Sequence, residues 1–342
     1  MTQLYINDKH IKMSDKNISF VTGANGFVGS HLVDYLIEKG HEVHAIVRAS
    51  SNLQWLEGKK VTLHTCGLGD IEALAQAFRG ANYIYHIAGV VKAFGLEGFR
   101  KGNVVMTKNV MEAALVNAAT IRRVLVVSSM AATGYAEIGG EVDEQSPLRP
   151  IEPYGVSKVE QEEVVNSYAD RLPTVIIRPP GIYGPRDTEI FAFFKAVNNG
   201  ISALMGFTAK EMSLIHVQDL VQGLYLAATK PQAVGQVYFL GSLERYDWKQ
   251  LGDIASKVMN KKTITLKIPH FILFIAGYIC QFLESVFGMD VALNKDRAYR
   301  ITRPSWYCSS AKAARELGFE QTVPIEDGFR QTVEWYRAKE WL

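Results

Sequence analysis

The sequence predicts an α/β protein: a Rossmann-type doubly wound parallel sheet with a smaller, discontinuous C-terminal substrate domain. Three observations carry this. Thr22-Gly23-Ala24-Asn25-Gly26-Phe27-Val28-Gly29 follows an apolar run and opens a helical pattern. Tyr154-Gly155-Val156-Ser157-Lys158 sets a phenol and an ammonium four residues apart. Between them, strand and helix patterns alternate. Ile18 to Thr22 reads as a buried strand. Ser30 to Lys39 places Leu32, Val33, Leu36 and Ile37 on a helical period, and Gly40 supplies a C-cap. Glu42 to Arg48 reads as the next strand, completing a β-α-β unit of about 30 residues. The glycines divide the work of a tight turn, close approach of a pyrophosphate and close helix–strand packing. The unpaired N–H groups of the helix start, with their partial positive charge, then face the phosphates. Gly23, Asn25, Gly26, Phe27, Val28 and Gly29 are therefore candidate dinucleotide contacts.

The end of the second strand bears on which dinucleotide binds. An acidic residue there would hold the ribose hydroxyls of NAD. No Asp or Glu lies between Val43 and Gln54; Arg48 stands there, followed by Ser50 and Ser51. A guanidinium matches the fork geometry of a phosphate. The expectation is NADP, with Arg48 and Ser51 on the 2′-phosphate. NAD stays possible, with Arg48 simply solvated at a strand end.

Further motifs fall in order along the chain. They are Asn82-Tyr83-Ile84-Tyr85-His86-Ile87-Ala88-Gly89, Asn103-Val104-Val105-Met106-Thr107, and Val124 to Gly134. After these come Arg178-Pro179-Pro180-Gly181-Ile182-Tyr183-Gly184-Pro185 and His216-Val217-Gln218-Asp219-Leu220. With them the chain resembles the extended short-chain dehydrogenase/reductase family of the NAD-dependent epimerase/dehydratase superfamily, from Ile18 to the C-terminus. It is most similar to the dihydroflavonol-reductase and 3β-hydroxysteroid-dehydrogenase branch. The resemblance implies that Ala88 and Gly89 lie beside adenine and ribose, and that Pro179, Gly181 and Ile182 meet the nicotinamide. It puts the catalytic hydroxyl on Ser129, counting back from Gly134, and a structural or catalytic role on Asn103, which could hold a water feeding protons to Lys158. Two departures stand out. Cys66-Gly67-Leu68 replaces the family's frequent Gly-Asp-Leu, so Gly67 takes the place of an adenine-contacting Asp while Leu68 can still pack on the ring. Gly89 replaces a second alanine.

Positions i and i+4 of a helix share a face, so Tyr154 and Lys158 can enter one cleft. A phenol is a poor base near neutrality. A nearby ammonium and an oxidised nicotinamide favour its ionised form. Tyr154 then serves as general base in alcohol oxidation and general acid in carbonyl reduction. Ser129 would donate a hydrogen bond to the reacting oxygen, and Lys158 would also reach the nicotinamide ribose. Met130-Ala131 follow Ser129 and carry no proton, which disfavours the sugar dehydratase chemistry of the family. No His or Cys spacing suggests a metal site. The three cysteines, Cys66, Cys280 and Cys308, are far apart and suit a reducing, cytoplasmic compartment.

Net charge is +2, so no nucleic-acid surface is indicated. Residues 1–16 lack the apolar core of a signal peptide and read as an N-terminal extension. The expected organisation is 17–178 plus about 215–240 for dinucleotide binding, and 179–214 plus 241–342 for substrate. A further strand is expected near Val237 to Leu240, and helices over Trp248 to Met259, Ala311 to Leu317 and Ile325 to Tyr336. The segment Ile268 to Phe287 is apolar nearly all round in its first half, yet its uninterrupted run is too short for stable membrane insertion. Three readings fit it: a helix over the cleft or buried in the smaller domain, a lining for an apolar substrate, or a membrane-surface contact. The first is preferred, because an interfacial helix should show a clear polar face.

The function expected is an NADP-preferring oxidoreductase that interconverts a secondary alcohol and a ketone of a small-molecule substrate. The alternative is a nucleotide-sugar 4-epimerase with tightly bound NAD. Its diphosphate would be held by Arg186, Arg245, Arg297, Arg300 or Arg303. A non-catalytic dinucleotide sensor is a third reading, opposed by the presence of both Tyr154 and Lys158. The resemblance also implies a homodimer through the helices after Asn103 and Tyr154. Val110, Met111, Ala114, Leu115, Val156, Val159, Val164, Val165 and Tyr168 supply apolar surface for it.

Overall fold

The computed structural model describes residues 16–287 and 294–342, so the extension expected over 1–16 lies outside the described residues except for Lys16. The first half alternates β1 (Ile18–Thr22), α1 (Phe27–Glu38), β2 (Glu42–Ile46), β3 (Val61–His64), α2 (Ile71–Ala77), β4 (Tyr83–His86), α3 (Gly95–Phe99), α4 (Met106–Val116), β5 (Arg123–Val127), α5 (Pro153–Asn166) and β6 (Thr174–Arg178). Then come β7 (Gly181–Tyr183), α6 (Phe191–Asn198), β8 (Ile201–Met205), β9 (Glu211–Met212), β10 (Leu214–His216), α7 (Val217–Thr229) and β11 (Gln236–Phe239). The chain closes with β12 (Tyr246–Asp247), α8 (Trp248–Met259), β13 (Ile264–Ile268), α9 (His270–Phe287), α10 (Lys295–Ile301), β14 (Ser305–Trp306), α11 (Ala311–Leu317) and α12 (Ile325–Ala338).

Seven strands pair in the order β11-β6-β5-β4-β1-β2-β3, and every pairing is parallel. This is the doubly wound sheet that the sequence predicts. Strand order reverses between β1 and β4, the point at which such sheets open a crevice for a ligand. β4, β5 and β6 are buried along their whole length, as strands covered on both faces must be. One face packs Leu32, Val33 and Leu36 of α1 with Leu220 and Leu224 of α7 and Ala313 of α11. The other packs Leu74 of α2, Val110 and Met111 of α4 and Val165 of α5. A third apolar cluster joins Tyr183, Phe194, Leu251, Phe329 and Tyr336 beyond the sheet. Asp219 on α7 holds the C-terminal segment against it, accepting from the Thr322 backbone and hydroxyl and from the Val323 backbone.

Several local expectations change. α1 starts at Phe27, three residues before the predicted Ser30, because Gly26 already takes the N-cap. β2 ends at Ile46, and Arg48 forms an isolated antiparallel bridge with Cys66. Asn103 does not begin a helix; it lies in a π-helical segment, Arg100–Val105, that joins α3 to α4 without a break. Val110, Met111, Ala114, Val165 and Tyr168 are internal core, so they are not the spare surface read from the sequence for a dimer. The added apolar surface covers the sheet itself.

The apolar segment after Pro269 also differs. α9 packs on α10 through Gly277, where an added Cβ would stand 3.0 Å from the Asn294 carbonyl oxygen, and Leu273 of α9 is buried. Its other side exposes Phe271, Ile272, Ile275, Tyr278 and Ile279. It is therefore not a helix buried in the smaller domain. No helix among the described residues is long and apolar enough to cross a membrane.

Three histidines are held neutral by the packing. Burial lowers His31 to about 4, against a hydrogen bond to the Pro185 carbonyl. Burial, then the Lys158 charge, lowers His86 to about 3. Burial, then His31, lowers His216 to about 4. Each folded value lies below the unfolded one, so the unfolded chain binds these protons first. The stability they reflect is complete above about pH 6.5 and is lost as pH falls towards 4. In that window the unfolding constant should rise about tenfold per histidine per pH unit. Circular-dichroism melts should show a steep fall in melting temperature from pH 6.5 to 4; a flat profile would contradict this account.

Candidate active site

The cradle sits at the switch point between β1 and β4. Gly23 has φ +69°, and a Cβ there would stand 2.8 Å from the Ala88 nitrogen. A Cβ on Gly29 would overlap the Gly23 carbonyl oxygen. The Gly26 N–H closes the turn on that same carbonyl at 3.0 Å. Gly26 caps α1 without a side chain, so the helix start keeps open N–H groups. These features fit a dinucleotide pyrophosphate: side chains are excluded and donors converge. Phe27 and Val28 form the first turn and pack on the core behind it. Asn25 donates to the Asn52 carbonyl at 3.3 Å, tying the cradle to the loop after β2.

That loop carries the residues expected at the adenosine end. The Arg48 backbone N–H donates to Ser51 Oγ at 3.0 Å, and the Arg48 side chain is exposed. Gly67 has φ +65° and donates to the Val47 carbonyl; a Cβ on it would lie 3.5 Å from Arg48 Cγ. Leu68 is half-buried, and its carbonyl accepts from Asn109 Nδ2. Arg48, Ser51 and Gly67 thus come together at the C-terminal end of β2.

A continuous set of hydrogen bonds runs from the cradle to Lys158. Thr107 Oγ1 donates its one hydrogen to the Asn103 carbonyl at 2.6 Å and accepts from Gln161 Nε2 at 2.8 Å. Its 2.9 Å contact with His86 Nε2 therefore requires a proton on Nε2. That leaves His86 Nδ1 to accept from Thr22 Oγ1 at 2.8 Å, while Thr22 accepts from the Ala88 N–H. Gln161 Oε1 receives Lys158 Nζ at 2.8 Å, and the Val127 carbonyl receives it at 3.1 Å. The sequence did not single out His86, Thr107 or Gln161. A polar residue closing the fully buried β4 was the available signal, because such a group must find partners.

Lys158 is 4% exposed, and burial lowers its pKa to about 8 while Glu162 opposes the shift. Its Nζ lies 5.8 Å from the centre of the Tyr154 ring. Burial raises the Tyr154 pKa; a hydrogen bond with the Ser129 side chain, then the Arg300 charge, oppose it. Ser129 has extended backbone and caps the single turn Met130–Ala132. The preceding Ser128 is committed elsewhere, donating at 2.5 Å to Glu162, which pairs with Arg178 inside the protein. Asn103 is buried. Its Oδ1 accepts from the Val90 N–H at 2.8 Å, and its Nδ2 donates to the Val90 carbonyl and to Ser157 Oγ. The Asn103 amide thus pins the loop after β4. A Cβ on Gly89 would be 3.1 Å from Asn103 Oδ1 and 3.4 Å from Lys158 Nζ, so these three residues meet.

The Pro179 carbonyl accepts from the Met130 N–H, which sets the loop after β6 against the Ser129 turn. Gly181 and Ile182 start β7 and pair with Leu214 and Ile215 of β10. Glu152, the N-cap of α5, is buried and pairs with Arg300 of α10 at 2.9 Å. This contact two residues before Tyr154 was not foreseen. Arranged in this way, Tyr154 can pass a proton to a substrate oxygen, Ser129 can donate to the same atom, and Lys158 can stabilise the phenolate. Among the described residues, no group of three or more His, Cys, Asp or Glu side chains could hold a metal ion.

Comparison with known proteins fits this geometry. The sequence model of the NAD dependent epimerase/dehydratase family matches residues 19–241. A ceramide reductase of Caulobacter vibrioides is 31% identical over 96% of this chain and 96% of its own length. A 3-beta-hydroxysteroid dehydrogenase of Mycolicibacterium neoaurum is 27% identical over 92% of this chain and 90% of its own. The crystal structure of a UDP-glucose 4-epimerase of Thermotoga maritima superposes with a TM-score of 0.76 at 21% identity, covering 94% of this chain and 99% of that one, and so shares the fold.

Proposed function

The chain belongs to the NAD dependent epimerase/dehydratase family and is an NAD-dependent enzyme of the extended short-chain dehydrogenase/reductase type; from that premise we propose that it reversibly reduces a ketone on an apolar molecule to a secondary alcohol. The observation that carries this reading is the convergence of Tyr154, Ser129 and Lys158 beside Gly89 at the switch point. The substrate class rests on the ceramide and steroid chemistry named for the two relatives.

The bound nicotinamide cofactor supplies the hydride for reduction and accepts it in oxidation. Gly23, Asn25, Gly26, Phe27, Val28 and Gly29 would hold its pyrophosphate. Gly67, Leu68, Ala88 and Gly89 would hold the adenosine side, and Pro179, Gly181 and Ile182 the nicotinamide. We propose NADP as the preferred form, with Arg48 and Ser51 on its 2′-phosphate. In reduction, the raised pKa of Tyr154 keeps the phenol protonated until charge grows on the substrate oxygen. Ser129 donates to that oxygen at the same moment. Lys158 then stabilises the phenolate. Asn103 acts as a positioning residue through Val90 and Ser157. Segments 179–214 and 241–342 would bind the substrate.

The epimerase reading needs free arginines for a diphosphate. Arg186 pairs with Asp34, Arg245 with Glu141 and Glu211, Arg297 with Glu189, and Arg300 with Glu152, while Arg303 bonds Tyr299 and Thr302 and lies over the Tyr299 ring. At four of the five a diphosphate would have to displace a carboxylate, which favours the reductase. Cofactor released from the purified protein separates the two, since tightly retained NAD would support an epimerase.

We also propose a cytoplasmic homodimer. The three cysteines are unpaired thiols, as a reducing compartment requires. The dimer rests on the resemblance, with exposed Val105 and half-buried Val156 and Val159 left on the two helices concerned. Light scattering at micromolar concentration should give twice the chain mass; a clean 38.1 kDa particle would refute it.

Two substitutions test the chemistry. Tyr154→Phe should lower turnover by about 10²-fold or more while leaving the cofactor dissociation constant nearly unchanged. Retention of most activity would remove Tyr154 from its role. Arg48→Asp should invert cofactor preference, weakening NADPH binding by repulsion and improving NADH relative to it. Both dissociation constants, measured by fluorescence titration in wild type and variant, decide this. A wild type that already prefers NADH would sink the Arg48 assignment.

A further inference from the structure

We propose that the outer face of α9 and β13 is a docking surface for an anionic lipid bilayer. Phe271, Ile272, Ile275, Tyr278 and Ile279 are 63%, 45%, 55%, 63% and 55% exposed. Their spacing of i, i+1, i+4, i+7 and i+8 places them in one stripe. A helix at the surface of a soluble protein normally turns such a stripe inward; here Leu273 and Gly277 face the protein and the larger apolar side chains face out. The stripe does not stand alone. The preceding strand β13 also exposes Ile264 at 79% and Leu266 at 52%. Phe207, in the loop after β8, adds 71% exposure beside His270 and Phe271, where the three help line an open hollow of about 530 Å³. A stripe of large apolar side chains left exposed along a helix marks an interaction site.

The charges around it select the partner. Lys261, Lys262 and Lys267 are all exposed, and no Asp or Glu occurs from Val258 to Leu283. Lysines flanking an apolar face match anionic headgroups over acyl chains. A second copy of this chain is the poorer partner. Twofold pairing of the same face would bring the cationic fringes of two copies towards each other. The surface is also close to the chemistry: α9 packs on α10, and α10 carries Arg300, which pairs with Glu152 two residues before Tyr154. A bilayer held there would present a water-insoluble ketone one helix away from the site. That last clause rests on the proposed function; the docking does not.

The test is co-sedimentation of the full chain with vesicles in 150 mM salt. Vesicles of phosphatidylcholine and phosphatidylglycerol (70:30) should bind at least tenfold more tightly than phosphatidylcholine alone. The double variant Ile275→Glu, Ile279→Glu should lose binding by at least tenfold. The triple variant Lys261→Glu, Lys262→Glu, Lys267→Glu should weaken anionic-vesicle binding by about fivefold or more for each charge reversed. All these residues are exposed, so both variants should melt like wild type. Wild type that stays in the supernatant with both vesicles overturns the proposal. So does unchanged vesicle binding by the glutamate variant, including the case in which that variant only converts a dimer to a monomer. Loss of docking with ketone reduction intact would leave the reductase standing, and docking without reduction would do the reverse.

Discussion

The site depends on one buried run of hydrogen bonds, Thr22–His86–Thr107–Gln161–Lys158. It crosses four elements, β1, β4, α4 and α5, and its direction is fixed at Thr107, whose only hydrogen goes to the Asn103 carbonyl. A neutral His86 with the proton on Nε2 is the one tautomer that satisfies every neighbour. Such a network is stable only when each member is satisfied, because an unpaired polar group in this environment costs more than the bond returns. The consequence is geometric. The strand that ends in the glycine cradle and the helix that carries Tyr154 and Lys158 are joined by these polar contacts in addition to the apolar core.

The same burial sets the electrostatics. Lys158 is taken out of water, which lowers its pKa to about 8, yet Glu162 nearby and two oxygen acceptors keep the charged form favourable around neutral pH. Tyr154 moves the other way, because burial disfavours phenolate more than the Ser129 hydrogen bond and the Arg300 charge restore it. The two groups therefore move apart in proton affinity: Lys158 falls to about 8 while Tyr154 rises above the ordinary phenol value, which holds the phenol in the protonated form that carbonyl reduction needs.

Much of this was legible in the residues. The glycine turn, the doubly wound parallel sheet, α8 and α11 follow from periodicity and punctuation. Ser129, Tyr154 and Lys158 fall together as their spacing and family resemblance predict. What was not legible is contact between segments distant in sequence. His86 and Gln161 carry no local pattern; their importance arises only when β4 and α5 meet α4. The π-helical segment around Asn103 contains Gly102, but Gly-Asn there reads equally well as a helix start. Apolar content also misled. Val110, Met111, Val165 and Tyr168 suggested spare surface, but a sheet covered on both faces consumes it. The opposite error arose at α9, where apolar composition suggested burial and the large side chains face outward. Composition states how much apolar surface a helix has, and only packing decides which side it faces.

The segments beyond the sheet are joined to it by clasps that converge on the two ends of the cleft. Arg186 adopts φ +73°, a conformation unfavourable for a residue with a Cβ, and is held there by its side chain. It donates to Ser30 and Asp34 in α1 and lies over Trp55, while neighbouring His31 in α1 bonds the Pro185 carbonyl. At the other end, Arg300 reaches the buried Glu152 at the start of α5. One clasp therefore grips the helix whose first turn forms the cradle, and the other grips the helix that carries Tyr154. Each clasp joins a withdrawn group, Arg186 or Glu152, to a more exposed partner, Asp34 or Arg300, so the buried member has its charge compensated while the pair stays within reach of water.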